Sequence, residues 1–138
     1  MIVGVVHDGQ FGPVLACGAG GLLVELVKDV SVRLTPLSTR DAEEMLRELQ
    51  TYPLLTGYRG EPPCDIAALV ELILRLSVMV EDLPQIAELD LNPVVVHSRG
   101  VEIVDARIRI APSPPSFPLS SLPAVHTAPP ASTPSRPA

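Results

Sequence analysis

Residues 87–107 constrain this chain more than any other stretch. Ala87-Glu-Leu-Asp-Leu-Asn-Pro-Val-Val-Val-His97 runs directly into Ser98-Arg-Gly-Val-Glu-Ile-Val-Asp-Ala-Arg107. Leu89, Leu91, Val94, Val95 and Val96 are strand formers, and Ser98-Arg99-Gly100 supplies a turn. If the loop is the two residues Ser98-Arg99, the numbers of cross-strand partners sum to 197, so Asn92 faces Asp105 and Asp90 faces Arg107. Asp90 and Asn92 are two apart and share a face. A carboxylate and an amide oxygen meeting across two strands suit Mg²⁺, which takes hard oxygen ligands and usually keeps substrate phosphates in its remaining positions. A three-residue loop would shift the register by one and part the pair. The plainer alternative is an exposed polar strand face on which Asn92-Pro93 ends the regular pairing.

A chain of 138 residues has room for one core. With 3 % aromatic residues and no Trp, that core must be built from Leu, Val, Ile and Ala. The net charge of −6 argues against nucleic acid or an anionic membrane as the main partner. Lys28 is the sole lysine, so the remaining basic side chains are arginines, whose fork suits carboxylate or phosphate. Cys17 and Cys64 form neither a CxxC pair nor a ligand cluster, and no signal peptide precedes them. Two free thiols in a reducing, cytoplasmic setting is the expectation.

The ends contrast. Nine of the 16 prolines fall within residues 111–138, where Arg136 is the only formal charge. Proline removes ladder donors and fixes φ, so residues 111–138 are expected to be a disordered or polyproline-like tail following a domain of residues 1–110. The start, Met1-Ile-Val-Gly-Val-Val6, enters a strand pattern with no polar lead, which suggests that something normally precedes it.

Between the ends, residues 1–7 and 13–17 are expected to form a hairpin, with further strands at 22–26 and 30–34. Ser38, with Asp41 three residues on, predicts a capped helix over 39–50 whose apolar stripe is Ala42, Met45, Leu46 and Leu49. Residues 51–63 are loop. Asp65 caps a second helix to about Glu81, and Pro84 ends it. The order predicts an α+β layer: an antiparallel sheet with two helices on one face and the other face left for a ligand.

Several residues invite a functional reading. Gly18-Ala-Gly-Gly21 can bring backbone N–H groups close to a phosphate, although no Gly-Lys-Ser/Thr follows; a flexible strand connection explains it equally. Glu25 and Lys28-Asp29 are candidate metal or phosphate contacts, against the usual case of solvated edge charges. Arg33 alternates with Val32 and Leu34 and is a candidate phosphate clamp, against a surface-facing arginine. Arg59 sits in a glycine-flanked loop. His7, His97 and His126 have no triad or metal-ligand spacing.

The order of motifs resembles a known family. Phe11-Gly-Pro13, Gly18-Ala-Gly-Gly-Leu-Leu-Val-Glu25, Lys28-Asp-Val-Ser-Val-Arg33, Thr35-Pro-Leu37, Tyr52-Pro-Leu-Leu-Thr-Gly-Tyr-Arg-Gly60, Glu88-Leu-Asp-Leu-Asn-Pro93 and Val104-Asp-Ala-Arg107 are similar to the NDP-forming acyl-CoA synthetases. The resemblance is to the carboxy-terminal half of their ATP-grasp domain, related to the succinyl-CoA synthetase β chain, and covers residues 1 to about 110. It implies a partial ATP-grasp subdomain with Mg²⁺ and ATP or ADP as cofactors. Asn92 and Asp105 match the family's Mg²⁺ ligands. Asp90 matches an acidic position thought to steer a phosphohistidine loop. Gly18, Gly20, Gly21, Glu25 and Arg33 match the phosphate side of the cleft.

The family joins a carboxylic acid to CoA using ATP, through an acyl phosphate and a phosphorylated histidine. The other ATP-grasp half and the CoA-binding and ligase domains are not in this sequence, so the resemblance implies a protein partner that supplies them. The contrasting expectation is a non-catalytic interaction domain, or a truncated remnant of such a ligase.

Overall fold

Val3 and Val5 of the first strand are buried while Val6 is exposed, and this alternation assigns the two faces of the sheet. The computed structural model describes residues 1–20 and 27–112. The expected strand at 22–26, the tail from residue 113, Gly21 and Glu25 lie outside the described residues. Strands β1 (Ile2–Asp8), β2 (Gly12–Gly18), β3 (Val30–Leu34), β4 (Ile86–Leu91) and β7 (Ala106–Ile110) form one sheet in the order β3-β2-β1-β4-β7. All its pairings are antiparallel. β5 (Val94–Val96) and β6 (Val101–Ile103) pair as a separate two-stranded arm.

Cross-strand partners share a face. Val5 lies opposite both Leu15 and Leu89, and Val3 opposite Cys17 and Leu91. All six are buried. The intervening Gly4 lies opposite Ala16 and Asp90 on the other face. Helices α1 (Thr39–Arg47) and α3 (Ile66–Asp82) cover the first face with Met45, Leu46, Leu69 and Ile73, all fully buried. The second face is open, and Val6 and Val32 stand exposed on it. Burial at Cys17 pushes its thiol up to about 12, so it packs as an inert core residue, and both it and Cys64 are free.

Helix starts follow their local signals. Ser38 Oγ accepts from Asp41 N–H while the Asp41 carboxylate accepts from Ser38 N–H, a complete capping box. Residues 51–63 depart from the loop expectation: Tyr52–Leu55 form a short helical turn, α2, with Pro53 in its first turn, where a missing N–H costs nothing.

Asp65 serves two elements. One carboxylate oxygen accepts from Ala68 N–H at 3.0 Å and caps α3, and the other accepts from Gly100 N–H at 2.8 Å in the turn of the β5–β6 arm. Asp65 N–H in return donates to His97 C=O at 2.7 Å. Both bonds hold its carboxyl below the ordinary value. Asparagine at this position keeps an oxygen for Ala68 but offers only one acceptor. In Asp65→Asn the Gly100 amide is therefore expected to exchange hydrogen at least tenfold faster while Ala68 stays protected, as amide exchange measured by NMR will show.

Candidate functional site

The register of the 86–110 hairpin decides which side chains meet. Val94 pairs with Ile103, Val95 with Glu102 and Val96 with Val101. Leu89 pairs with Ile108, Asp90 with Arg107 and Leu91 with Ala106. Every one of these pairs sums to 197, and the two-residue Ser98-Arg99 loop is closed by His97 N–H donating to Gly100 C=O at 3.0 Å. Between the two ladders Asn92 N–H donates to Asp105 C=O at 3.1 Å, which sets these residues opposite one another. Pro93 has no N–H for the ladder, and the next residue, Val94, bonds both to Met1 and, across the arm, to β6.

Asp90 faces the open side, and Asn92 follows two residues on. The Asp105 carboxylate lies on this side as well, because Oδ2 is 3.5 Å from Nε of Arg107, the partner of Asp90. Glu88, Asp90, Arg107 and Arg109 line one hollow of about 280 Å³ on this face. Gly4, Val6, Val14, Ala16 and Val32 floor an adjoining apolar one of about 390 Å³ that also reaches Glu88 and Asp90. The structure therefore offers an apolar floor whose one edge carries the Glu88 and Asp90 carboxylates.

The glycine turn comes to the same end of the sheet. Gly18 pairs with Ile2, and just beyond the last β1–β4 pair, Val3 with Leu91, the Met1 amino group donates to Val94 C=O at 2.8 Å and Val94 N–H donates to Met1 C=O at 2.7 Å. The turn has its own packing reasons for glycine. A Cβ at Gly18 would approach Asp29 C=O to 2.8 Å, and Gly20 has φ +82 against Met1.

Arg33 is a correction. It pairs with Leu15, whose side chain belongs to the helix face, so Arg33 points away from the groove. There its guanidinium bonds the Glu48 carboxylate, and Ser31 Oγ also donates to Glu48 at 2.7 Å. This bond holds Arg33 above and Glu48 below their ordinary values. Asp29 is likewise structural, a buried acceptor for Gln50 N–H, Thr51 N–H and Thr51 Oγ. Arg59, at φ +54, lies over the Tyr58 ring with 5.3 Å to the centroid, well apart from this groove in the chain.

The donor chemistry fits a metal that arrives with a phosphate ligand. Among the described residues no group of three or more His, Cys, Asp or Glu converges on one point. The side chains of Asn92 and Asp105, whose backbones stand opposite one another, are of the hard-oxygen type that Mg²⁺ takes, and two are too few for a dedicated protein cage. Two roomier hollows, of about 430 and 600 Å³, lie against the outer sides of α1 and α3. Their arginines are already paired within the helices, Arg47 with Glu43 and Arg75 with Glu71. Sequence reasoning assigned no role to Arg107, although the same register that paired Asn92 with Asp105 placed it on their face.

An antiparallel sheet covered by helices on one face and open on the other is the layered architecture of a partial ATP-grasp domain. Residues 1–110 match the family model of the ATP-grasp domain, and the chain belongs to that family. The curated proteins it resembles include several ADP-forming acid–CoA ligases. It is 53 % identical over 108 residues to the ADP-forming acetate–CoA ligase II of Archaeoglobus fulgidus, covering 78 % of this chain and 16 % of that protein. It is 44 % identical over 108 residues to subunit beta of the ADP-forming acetate–CoA ligase I of Pyrococcus furiosus, covering 78 % of this chain and 47 % of the subunit. The fold matches the dinucleotide-forming acetyl-coenzyme A synthetase 1 of Ca. Korarchaeum cryptofilum, in complex with coenzyme A and Mg-AMPPCP. That match has a TM-score of 0.77 at 46 % identity and covers 80 % of this chain and 52 % of the other. The chain thus spans about half of a β subunit and a much smaller part of the longer ligase. Among the described residues no helix is long and apolar enough to cross a membrane.

Proposed function

We propose that this chain is the Mg²⁺–nucleotide half-site of an ADP-forming acid–CoA ligase, working with a protein partner that supplies the facing ATP-grasp half and the CoA-binding and ligase domains. The observation that carries this reading is the backbone opposition of Asn92 and Asp105, at the same end of the sheet as the Gly18–Gly20 segment. Asn92 and Asp105 would hold Mg²⁺, which would supply positive charge beside the nucleotide's phosphates. Glycine N–H groups at 18–20 lie on the phosphate side. Asp90, exposed on the same face, is placed to meet an incoming histidine segment of the partner. The apolar floor from Gly4 to Val32 receives the rest of the nucleotide. Alone, the chain binds without completing the reaction.

The test is Mn²⁺, as a spectroscopic stand-in for Mg²⁺, titrated into the 138-residue chain with and without ADP. Wild type is expected to bind ADP in a metal-dependent manner, and Asp105→Ala to lose at least tenfold in that affinity with an unchanged circular-dichroism spectrum. Metal-independent binding, or equal affinity in Asp105→Ala, overturns the assignment.

A further inference from the structure

We propose that Arg107 is a phosphate ligand of the bound nucleotide, set free for that task when a metal ion takes the Asp105 carboxylate. The inference rests on the Mg²⁺–nucleotide reading of this face and assigns a role that the two metal donors cannot fill.

The charged pairs along β4 and β7 are not alike. In one row Glu88 and Arg109 face each other and close a 2.8 Å hydrogen-bonded ion pair, which holds the carboxyl down and the guanidinium up. In the next row Asp90 and Arg107 also face each other, yet no cation lies within ion-pair distance of Asp90 among the described residues. The Arg107 guanidinium turns along its own strand instead, and Nε stops 3.5 Å from Asp105 Oδ2. That separation is an ion-pair contact longer than a good charge-assisted hydrogen bond. The side chain is 82 % exposed, so nothing packs it into this position.

Charge then indicates what Arg107 does. Glu88 and Arg109 cancel, which leaves Asp90, Asp105 and Arg107 with a summed charge of −1 on the ground where a polyphosphate must settle. A divalent metal on Asn92 and Asp105 reverses that sign. It also competes with Arg107 for the same carboxylate, because an ion bound to Asp105 repels a guanidinium whose Nε is held 3.5 Å from that carboxylate. Displaced, Arg107 remains on the open face beside the metal, and its planar fork matches two phosphate oxygens. The metal and the arginine would therefore clamp one phosphate group from two sides, and the unliganded protein would keep the arginine parked on the metal's own ligand.

Opposed signs make this testable. Arg107→Gln removes the charge and keeps a polar, though shorter, side chain. In the full chain, binding of Mn²⁺ alone is expected to tighten two- to fivefold, because the competing cation is gone. Binding of ADP in the presence of saturating Mn²⁺ is expected to weaken about tenfold, the size of one charge-assisted contact. The preference for ADP over AMP should shrink, and Arg107→Lys should recover part of it. A merely structural residue would move both affinities the same way. Changes of the same sign, or no change in either, overturn the role of Arg107. If wild type shows no metal-dependent ADP binding, the half-site reading fails and this inference falls with it. If Asp105→Ala abolishes that binding and Arg107→Gln leaves it intact, only this inference falls.

Discussion

Asp29→Ala is expected to destabilise the fold by about 3–4 kcal/mol, measured as the shift in a urea unfolding curve at constant m. Asp29 is 4 % exposed and accepts from three donors: Gln50 N–H at 2.7 Å, Thr51 N–H at 2.9 Å and Thr51 Oγ at 2.5 Å. These donors sit at the corner between α1 and α2, so one carboxylate at the start of β3 anchors the helix layer to the sheet. Alanine removes the charged acceptor and leaves two backbone N–H groups without a partner, and that deficit, more than the lost attraction, sets the size of the effect. A domain of this size is stable by roughly 5–15 kcal/mol, so the variant should unfold at much lower urea.

The same residue gives an acid signature. Burial alone would push the Asp29 carboxyl up; the bonds from Thr51 and Gln50 outweigh it and hold the carboxyl below its ordinary value. A depressed folded value means that the unfolded chain binds the proton more tightly. The stabilisation is therefore complete above the ordinary carboxylate range near pH 4 and is lost as pH falls through the lower, folded value. Unfolding free energy measured from pH 6 to pH 2 should fall less steeply in Asp29→Asn than in wild type. Equal slopes would show that Asp29 does not titrate differently on folding.

What could be read beforehand divides by the range of the cause. Both long helices were legible because their signals are local: Ser38 with Asp41, Asp65 with Ala68, and apolar residues at helical spacing between. The site hairpin was legible because a two-residue turn and the pleat leave one register, which carries Asn92 to Asp105. Asp29 was not legible, because its donors come from residues 50 and 51 and nothing around Lys28-Asp29 announces them. Arg33 misled for a related reason. Apolar alternation marks Val30, Val32 and Leu34 as one face of β3 without saying which face the helices cover. The structure leaves these three exposed and turns Ser31 and Arg33 toward α1. Val32 is instead part of the floor of the groove, an apolar surface kept open.

Two substitutions on neighbouring strands test that division of the sheet, on which the site depends. Leu15→Ala is expected to cost about 3–4 kcal/mol, since Leu15 is fully buried under the helices and its removal leaves a cavity the sheet can only partly close. Val6→Ala is expected to cost well under 1 kcal/mol, since Val6 is 56 % exposed on the other face and alanine forfeits little burial there. The pair also separates stability from binding. Leu15→Ala should leave the affinity of the folded fraction for nucleotide unchanged, whereas Val6→Ala removes two methyl groups from the groove floor and should weaken Mn²⁺-dependent ADP binding a few-fold. Comparable losses of stability at both positions would mean that both faces are covered in the folded chain. A ligand could not then reach the edge where Asn92 and Asp105 meet, because the face that presents them would be core.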